Sequence, residues 1–188
     1  MNSNSTVGIV AGQGETGCGF PDISRKLGAI VASRELQVAG LYNPGSFPFM
    51  EGYLEASAGT LPVPDWRQAR LYVAGHHRDI PGEWPVPPRG ATVHFGYTYA
   101  AHVEQLVRNC GLIVVGPVAR VSTLTTLLAT TTPDTWVAVL RQSVGWYTTL
   151  VEHYAAGVGL NQIVSYDDHI DFGVLFDRWL QQQSNPTS

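Results

Sequence analysis

The chain has 188 residues, of which 44% are hydrophobic and 14% are charged, so it can bury a core and does not have the composition of a disordered protein. Its formal net charge of −4 argues against a protein that neutralises many phosphates of DNA or RNA. No apolar run reaches the length that spans a membrane, so we expect neither a nucleic acid nor a membrane as partner.

The first part of the chain predicts two strands, each followed by a helix. Residues 6–12 (TVGIVAG) are short, β-branched and closed by glycine, as in a buried strand. In 21–36 the apolar residues Ile23, Leu27 and Val31 recur at helical spacing. A second strand is predicted over 36–42 and a second helix over 47–59.

The segment 60–91 has a different composition, because it holds six of the twelve prolines. We expect a proline-rich irregular insertion or a lid here, since long loops are often functional. Within it, only 69–75 (ARLYVAG) has the pattern of a strand.

The rest of the chain alternates strands with helices. Strands are predicted over 91–97, 111–116, 135–140 and 161–166. Helices are predicted over 99–110, 122–132 and 145–157, and a last helix follows a cap at Asp167 or Asp168. We expect a single domain over 1–183 and a disordered tail over 184–188.

The predicted strands are continuously apolar, and helices separate most of them. This combination predicts an α/β fold, a Rossmann-like three-layer sandwich with a mainly parallel sheet and helices on both faces. Ligands bind such sheets beyond the carboxyl ends of the strands. The turns at 11–20, 43–49, 95–99 and 116–123 are therefore candidates for a site.

A glycine-rich turn follows the first strand. GQGETG (12–17) is a literal G-x-G-x-x-G between strand and helix, a context suited to phosphate. A dinucleotide fold also needs an acidic residue at the end of the second strand, where this chain reads AGLYNPGS. We therefore expect no nicotinamide or flavin cofactor, and a glycine turn without a ligand remains an alternative.

Two further turns repeat this arrangement, one at NPGS (43–46) and one from Gly116 to Ser122 and Thr123. Three such turns at one edge of a sheet would direct backbone N–H groups towards a common anion. The sequence therefore favours a small phosphate-bearing ligand over a dinucleotide.

Several stretches resemble the LOG proteins, cytokinin-activating phosphoribohydrolases that act on nucleoside monophosphates. The resemblance lies in the strand, glycine loop and helix at 8–36, in the turn and helix at 38–59, and in the strand and helix at 111–132. Residues 144–159 resemble the family's Gly-Tyr-Tyr helix, and 164–180 resemble its closing strand and helix. The resemblance implies a homodimer, for which the apolar faces of 99–110 and 122–132 are candidates, although they suit an ordinary core equally well.

The turns and the resemblance together define a predicted ligand site, in which Met50 takes the place of a methionine in a Leu-Met pair of the family. The predicted ligand-binding residues are Gly12, Gly14, Thr16, Gly17, Gly45, Ser46, Met50, Gly116, Arg120, Ser122, Thr123 and Thr126.

The catalytic part of the family pattern is missing. Where LOG proteins have Pro-Gly-Gly-x-Gly-Thr, this chain keeps only Thr123, and Thr126 stands in the place of the signature's glutamate. The family's Arg-Lys pair aligns with Ala101-His102. The hydroxyl-rich start of the helix at 122–132 could still bind phosphate, so the binding half of the site could persist without the catalytic half.

Other side chains could act on a ribose as acid or carboxylate catalysts, and Glu51, Glu104 and His102 are the candidates. Glu51 could instead complement the dipole of its helix. His102 and Glu104 are two positions apart, so they do not share a helix face, and both could be surface residues. Glu15, inside the glycine loop, would repel a phosphate.

The remaining reactive residues give weaker signals. Arg120 could bind a phosphate or pair with a surface carboxylate. His76 and His77 have no partner cluster, so we expect no metal. Cys18 lacks an adjacent base, and Cys110 falls on a core face. Two cysteines suit no disulfide framework and no signal peptide is recognised, so a cytoplasmic protein is expected.

Three hypotheses follow from the sequence. The first is a LOG-like carrier or pseudoenzyme that binds a nucleotide or a related phosphate-bearing molecule, as the molybdenum-cofactor carrier proteins that resemble this family do. The second is a nucleoside 5′-monophosphate N-glycosidase with a relocated carboxylate. The third is an interaction module with an empty pocket.

Overall fold

The structure is a computed structural model, and it describes residues 6–12, 19–59, 67–74, 85–116, 121–132, 134–141 and 163–184. The helix predicted over 145–157 lies outside these residues, and so does the tail predicted over 184–188 except for Ser184, which ends the last helix.

The described strands form one sheet in which every pairing is parallel. Their order is β4-β3-β2-β1-β5-β6-β7. The chain thus builds one half of the sheet outwards from β1 and then returns to the other side of β1 with β5. This arrangement confirms the predicted Rossmann-like α/β fold. The bounds are Thr6–Val10 (β1), Gln37–Leu41 (β2), Ala69–Ala74 (β3), Thr92–Tyr97 (β4), Leu112–Val115 (β5), Trp136–Leu140 (β6) and Ile163–Tyr166 (β7).

The described helices cover both faces of the sheet and give the fold its three layers. One apolar cluster joins α1, α2 and α5 to one face, and a second joins α3 and α4 to the other. The helix bounds are Phe20–Ala32 (α1), Phe47–Ala56 (α2), Tyr99–Asn109 (α3), Val121–Thr130 (α4) and His169–Ser184 (α5), and a short 3₁₀ helix, Pro44–Ser46, precedes α2.

The central strands are apolar on both sides because both sides are covered. In β1, Val7 and Ile9 pack into the first cluster and Val10 packs into the second. In β5, Val114 and Val115 divide in the same way, and both are fully buried. Continuous burial of this kind is typical of parallel sheets between two helical layers.

The apolar faces of α3 and α4 belong to this core. Val103, Leu106 and Val107 of α3 and Leu124 and Leu127 of α4 are all buried in the second cluster. These two faces are therefore ordinary core, the alternative that the sequence left open, and they are not available for a dimer contact.

The strand pattern at 69–75 is confirmed as β3, which lies inside the sheet between β2 and β4. Residues 60–66 and 75–84 lie outside the described part of the chain, so a lid in this segment stays a prediction. Its last part is tied to the body of the protein, because the Tyr42 hydroxyl donates to the Pro85 carbonyl and Pro88 is buried.

The last helix begins as the sequence predicted. The Asp168 carboxylate accepts the backbone N–H groups of Ile170 and Asp171 at 2.8 and 2.9 Å. Of the two acids considered, Asp168 is therefore the cap. The hydrogen bond from the Asp171 N–H lowers the pKa of Asp168 from its ordinary value, as expected for a carboxylate that receives backbone donors.

Helices α1 and α2 cross in backbone contact through two glycines. A Cβ atom on Gly28 would lie 2.0 Å from the Phe49 carbonyl oxygen, and one on Gly52 would lie 1.9 Å from the Arg25 carbonyl oxygen. Each glycine thus faces the main chain of the other helix. Since α2 carries the turn after β2, this crossing fixes where that turn lies.

We predict that Gly28→Ala lowers the free energy of unfolding by about 1–3 kcal/mol, because the added methyl group forces the two helices apart. Gly173→Ala is the matched control, since Gly173 lies in α5 and a Cβ there would meet nothing within 4 Å. The control should gain up to about 1 kcal/mol from helix propensity. Urea unfolding measures both, and equal effects of the two substitutions would contradict the close crossing.

Candidate ligand site at the carboxyl edge of the sheet

The strand order places a switch point between β1 and β5. The crossover connections leave these two neighbouring strands in opposite directions, which opens a crevice beyond their carboxyl ends. The carboxyl ends of β1, β2 and β5 border this crevice, and the three turns that the sequence singled out begin there. Residues 13–18 and 117–120 of these turns lie outside the described part of the chain.

The turns after β1 and β2 are in direct backbone contact. A Cβ atom on Gly45 would lie 2.1 Å from the Gly12 carbonyl oxygen. Only glycine therefore fits at residue 45, and Gly45 covers the carbonyl group of Gly12. Two of the three predicted turns are thus brought together.

Gly116, the residue directly after β5, contacts the start of α1. A Cβ atom on Gly116 would lie 2.1 Å from the ring of Phe20, the first residue of α1. Phe20 is 5% exposed, so its ring has little space in which to move. The end of β5 is therefore packed against the start of α1, which follows β1 in the chain.

Two backbone N–H groups of the turn after β2 already donate hydrogen bonds within that turn. The Asn43 side chain accepts the Gly45 N–H at 2.9 Å, and the Asn43 carbonyl accepts the Ser46 N–H at 2.8 Å. These two N–H groups stabilise the turn. That they donate to an anion, as the sequence predicted, stays a prediction. Ser46 is fully buried, and its hydroxyl has no hydrogen-bond partner. Met50 is a fully buried core residue next to Gly40 in β2.

The start of α1 is poorly equipped to hold an anion. Pro21 has no N–H group, and the N–H groups of Asp22 and Ile23 both donate to the Gly19 carbonyl. Asp22 adds a negative charge to the first turn. A phosphate at this helix start would meet few donors and one carboxylate.

The first turn of α4 contains no acidic residue, and the dipole of the helix gives this end a partial positive charge. Ser122 is exposed and Thr123 is 9% exposed, so one hydroxyl faces solvent and the other is nearly buried. Thr126, in the place of the family's glutamate, is half-buried.

The three candidate catalytic residues lie in different surroundings. The Glu51 carboxylate is bound to Arg25 on the outer surface of α1 and α2, where Arg25 also binds Glu55 at 2.8 Å. Glu104 is partly exposed and lies 3.9 Å from Arg108.

His102 is buried, in contrast to the surface position considered for it, and its Nδ1 lies 3.1 Å from the Thr98 carbonyl oxygen. His102 and Glu104 therefore do face different environments, as their spacing predicted. The catalytic roles remain predictions.

Other predicted residues lie outside the described part of the chain. These are Gly14, Thr16, Gly17 and Arg120 of the ligand set, together with Glu15, Cys18, His76 and His77. Among the described residues, no group of three metal-binding side chains is present. No described helix is long and apolar enough to cross a membrane.

Two residues that organise the edge were missed from the sequence. Asn43 was read only as part of a glycine turn, although Asn before Pro-Gly is a known signal for a side chain that closes its own turn. Phe20 carried no signal, because its contact with Gly116 joins residues far apart in the chain.

Comparison with known proteins finds solved structures that share this fold. No family model matches the chain, and no curated protein matches it. The chain is similar to the solved structure of the molybdenum cofactor binding protein from the phototrophic bacterium Rippkaea orientalis, with a TM-score of 0.67 and 11% identity over 94% of this chain and 98% of that one. It is also similar to the molybdenum cofactor carrier protein MCP from Chlamydomonas reinhardtii, with a TM-score of 0.68 and 11% identity over 95% and 99%.

These two similarities show a shared fold along nearly the whole length of each chain. At 11% identity they do not carry a function with them. Membership of the LOG family stays a prediction, whereas the Rossmann-like architecture that the resemblance implied is confirmed.

We predict that Gly116→Ala costs about 1–3 kcal/mol of unfolding free energy, because its methyl group would overlap the Phe20 ring. In a Phe20→Ala background the same substitution should cost much less, since the ring is gone. Urea unfolding of the four proteins of this cycle gives the coupling. An equal cost in both backgrounds would show that Gly116 and Phe20 do not hold the edge together.

Proposed function

We propose that this protein binds a small phosphate-bearing molecule, of the nucleotide or molybdenum-cofactor kind, and carries it without cleaving it. The single observation that supports this most is the close packing at the ends of β1, β2 and β5, where Gly45 meets Gly12 and Gly116 meets Phe20, at a switch point of the sheet.

The phosphate group is assigned to the start of α4. The helix dipole gives this end a partial positive charge, and the first turn of the helix contains no acidic residue. Ser122 and Thr123 lie in that turn and carry hydroxyl groups. The start of α1 is the weaker candidate, because Asp22 places a negative charge in its first turn.

The ion pairs of the candidate carboxylates favour a carrier over an N-glycosidase. Stabilising an oxocarbenium-like sugar needs an acidic side chain beside it. Glu51 is bound to Arg25, Glu104 lies near Arg108 at the surface, and Thr126 replaces the family's glutamate. Among the described residues, none of the carboxylates considered is thus free to act on a sugar, which supports the carrier.

The solved structures point in the same direction. Both are named for binding or carrying the molybdenum cofactor, and this chain shares their fold over nearly its whole length. We include a homodimer and a cytoplasmic location in the proposal. The buried faces of α3 and α4 do not form its interface, as shown above.

The test is a thermal-shift panel with nucleoside 5′-monophosphates, the molybdenum cofactor and inorganic phosphate. A ligand at about 100 times its Kd adds about 2.7 kcal/mol to the stability of the folded state. For a chain of this size that corresponds to a rise in Tm of about 5–10 °C. Chromatography of the same nucleotide mixtures should show no free base.

Ser122→Glu separates ligand binding from folding. A carboxylate at the start of α4 suits the helix dipole, so the protein without ligand should melt at the same temperature or higher, while phosphate binding should weaken at least about tenfold. Thr92→Glu is the control, because Thr92 is exposed and begins β4 at the opposite edge of the sheet.

The possible failures are distinct. Release of free base would replace the carrier with an N-glycosidase. No shift with any phosphate ligand would favour an interaction module. Equal weakening by Ser122→Glu and Thr92→Glu would remove the phosphate from α4.

A further inference from the structure

A second cavity lies at the amino edge of the sheet, opposite the proposed phosphate site. Its volume is about 240 Å³, and it is enclosed by the last turns of α3 and α4 and by the turn that enters β6. The proposed function does not involve this cavity.

Groups of negative charge border the cavity. The ends of two helices lie beside it, through Val107 and Arg108 of α3 and Thr130 of α4, and the last carbonyl groups of a helix carry partial negative charge. Asp134, which is exposed, adds a carboxylate at the mouth, and no ion pair of Asp134 is found among the described residues.

The hydroxyl groups of the lining offer mainly lone pairs. Thr130 donates its single hydroxyl hydrogen to backbone carbonyl oxygens of α4, at 2.8 Å from Thr126 and 3.1 Å from Leu127. Thr132 and Thr135 share one hydrogen bond of 3.1 Å between their hydroxyl oxygens. An occupant that donates hydrogen bonds is therefore better matched than one that accepts them.

The rest of the lining sets the size and polarity of the occupant. Val107 and Cys110 are each 3% exposed and give an apolar wall. Burial raises the pKa of the Cys110 thiol to about 12, so this wall is uncharged at neutral pH. Arg108, the cation of the lining, is 77% exposed and lies 3.9 Å from Glu104, whereas Asp134, also exposed at the rim, has no such partner among the described residues.

We infer that this cavity binds a primary alkylammonium ion. The ammonium group donates to Asp134 and to the threonine oxygens, and its short alkyl chain packs against Val107 and Cys110. The site is independent of the phosphate site, because the two lie at opposite edges of the sheet.

The experiment is an NMR titration of the ¹⁵N-labelled protein with 1,4-diaminobutane, with 1,4-butanediol as the uncharged analogue of similar size. We expect saturable shifts of the backbone signals of Arg108, Cys110, Asp134 and Thr135 with the diamine at about 10 mM or below, and none with the diol.

Asp134→Asn should weaken the diamine affinity at least about tenfold, because it removes the charged acceptor. Asp22→Asn is the matched control, since it removes the same charge from an exposed position at the start of α1, at the other edge of the sheet. Thr135→Val is a second variant, which should weaken binding in case Asp134→Asn alters the turn.

Several outcomes would overturn the inference. These are the absence of saturable shifts, equal shifts with the diol, equal losses in Asp134→Asn and Asp22→Asn, or shifts confined to another part of the protein. Because phosphate is absent from this experiment, its failure leaves the proposed carrier function untouched, and the reverse also holds.

Discussion

Backbone contact between the turns after β1 and β2 is the constraint on which the carboxyl edge of this protein depends. The Gly12 carbonyl oxygen lies where a side chain on residue 45 would be, so the two turns can meet only through a glycine. The same principle recurs where Gly28 and Gly52 let α1 and α2 cross, and where Gly116 receives the Phe20 ring. Together these contacts pack the ends of β1, β2 and β5 closely at one edge of the sheet.

That close packing also decides which groups remain for a ligand. At the Gly45 turn the N–H groups serve Asn43, and at the start of α1 they serve Gly19. The first turn of α4 has no acidic residue, which is why the phosphate is proposed there. Glu51 is bound to Arg25, and Glu104 lies 3.9 Å from Arg108, both at the protein surface. These surroundings are the reason for proposing a carrier and not an N-glycosidase.

The fold could be predicted from the sequence because its signals are local. Each signal lies within a few neighbouring residues, as in the continuously apolar strands, the helical spacing in 21–36 and the Asp168 cap. Even the strand inside the proline-rich segment is recognisable from ARLYVAG. The surroundings of the predicted site residues were less evident. Two of the contacts are local, since Asn43 accepts the N–H of Gly45 and His102 lies against Thr98 one turn earlier, and Asn before Pro-Gly was a signal for the first of them. The contacts of Gly45 with Gly12 and of Gly116 with Phe20 join distant residues, and no local pattern predicts them.

A crystal structure of the protein with the ligand that gives the largest thermal shift would test the central claim most directly. We predict that the phosphate oxygens lie within about 3 Å of the backbone N–H groups of Ser122 and Thr123, with the rest of the ligand over the carboxyl ends of β1 and β5. A phosphate seated at the Asn43 turn, or at the start of α1 with α4 unoccupied, would contradict the proposed site.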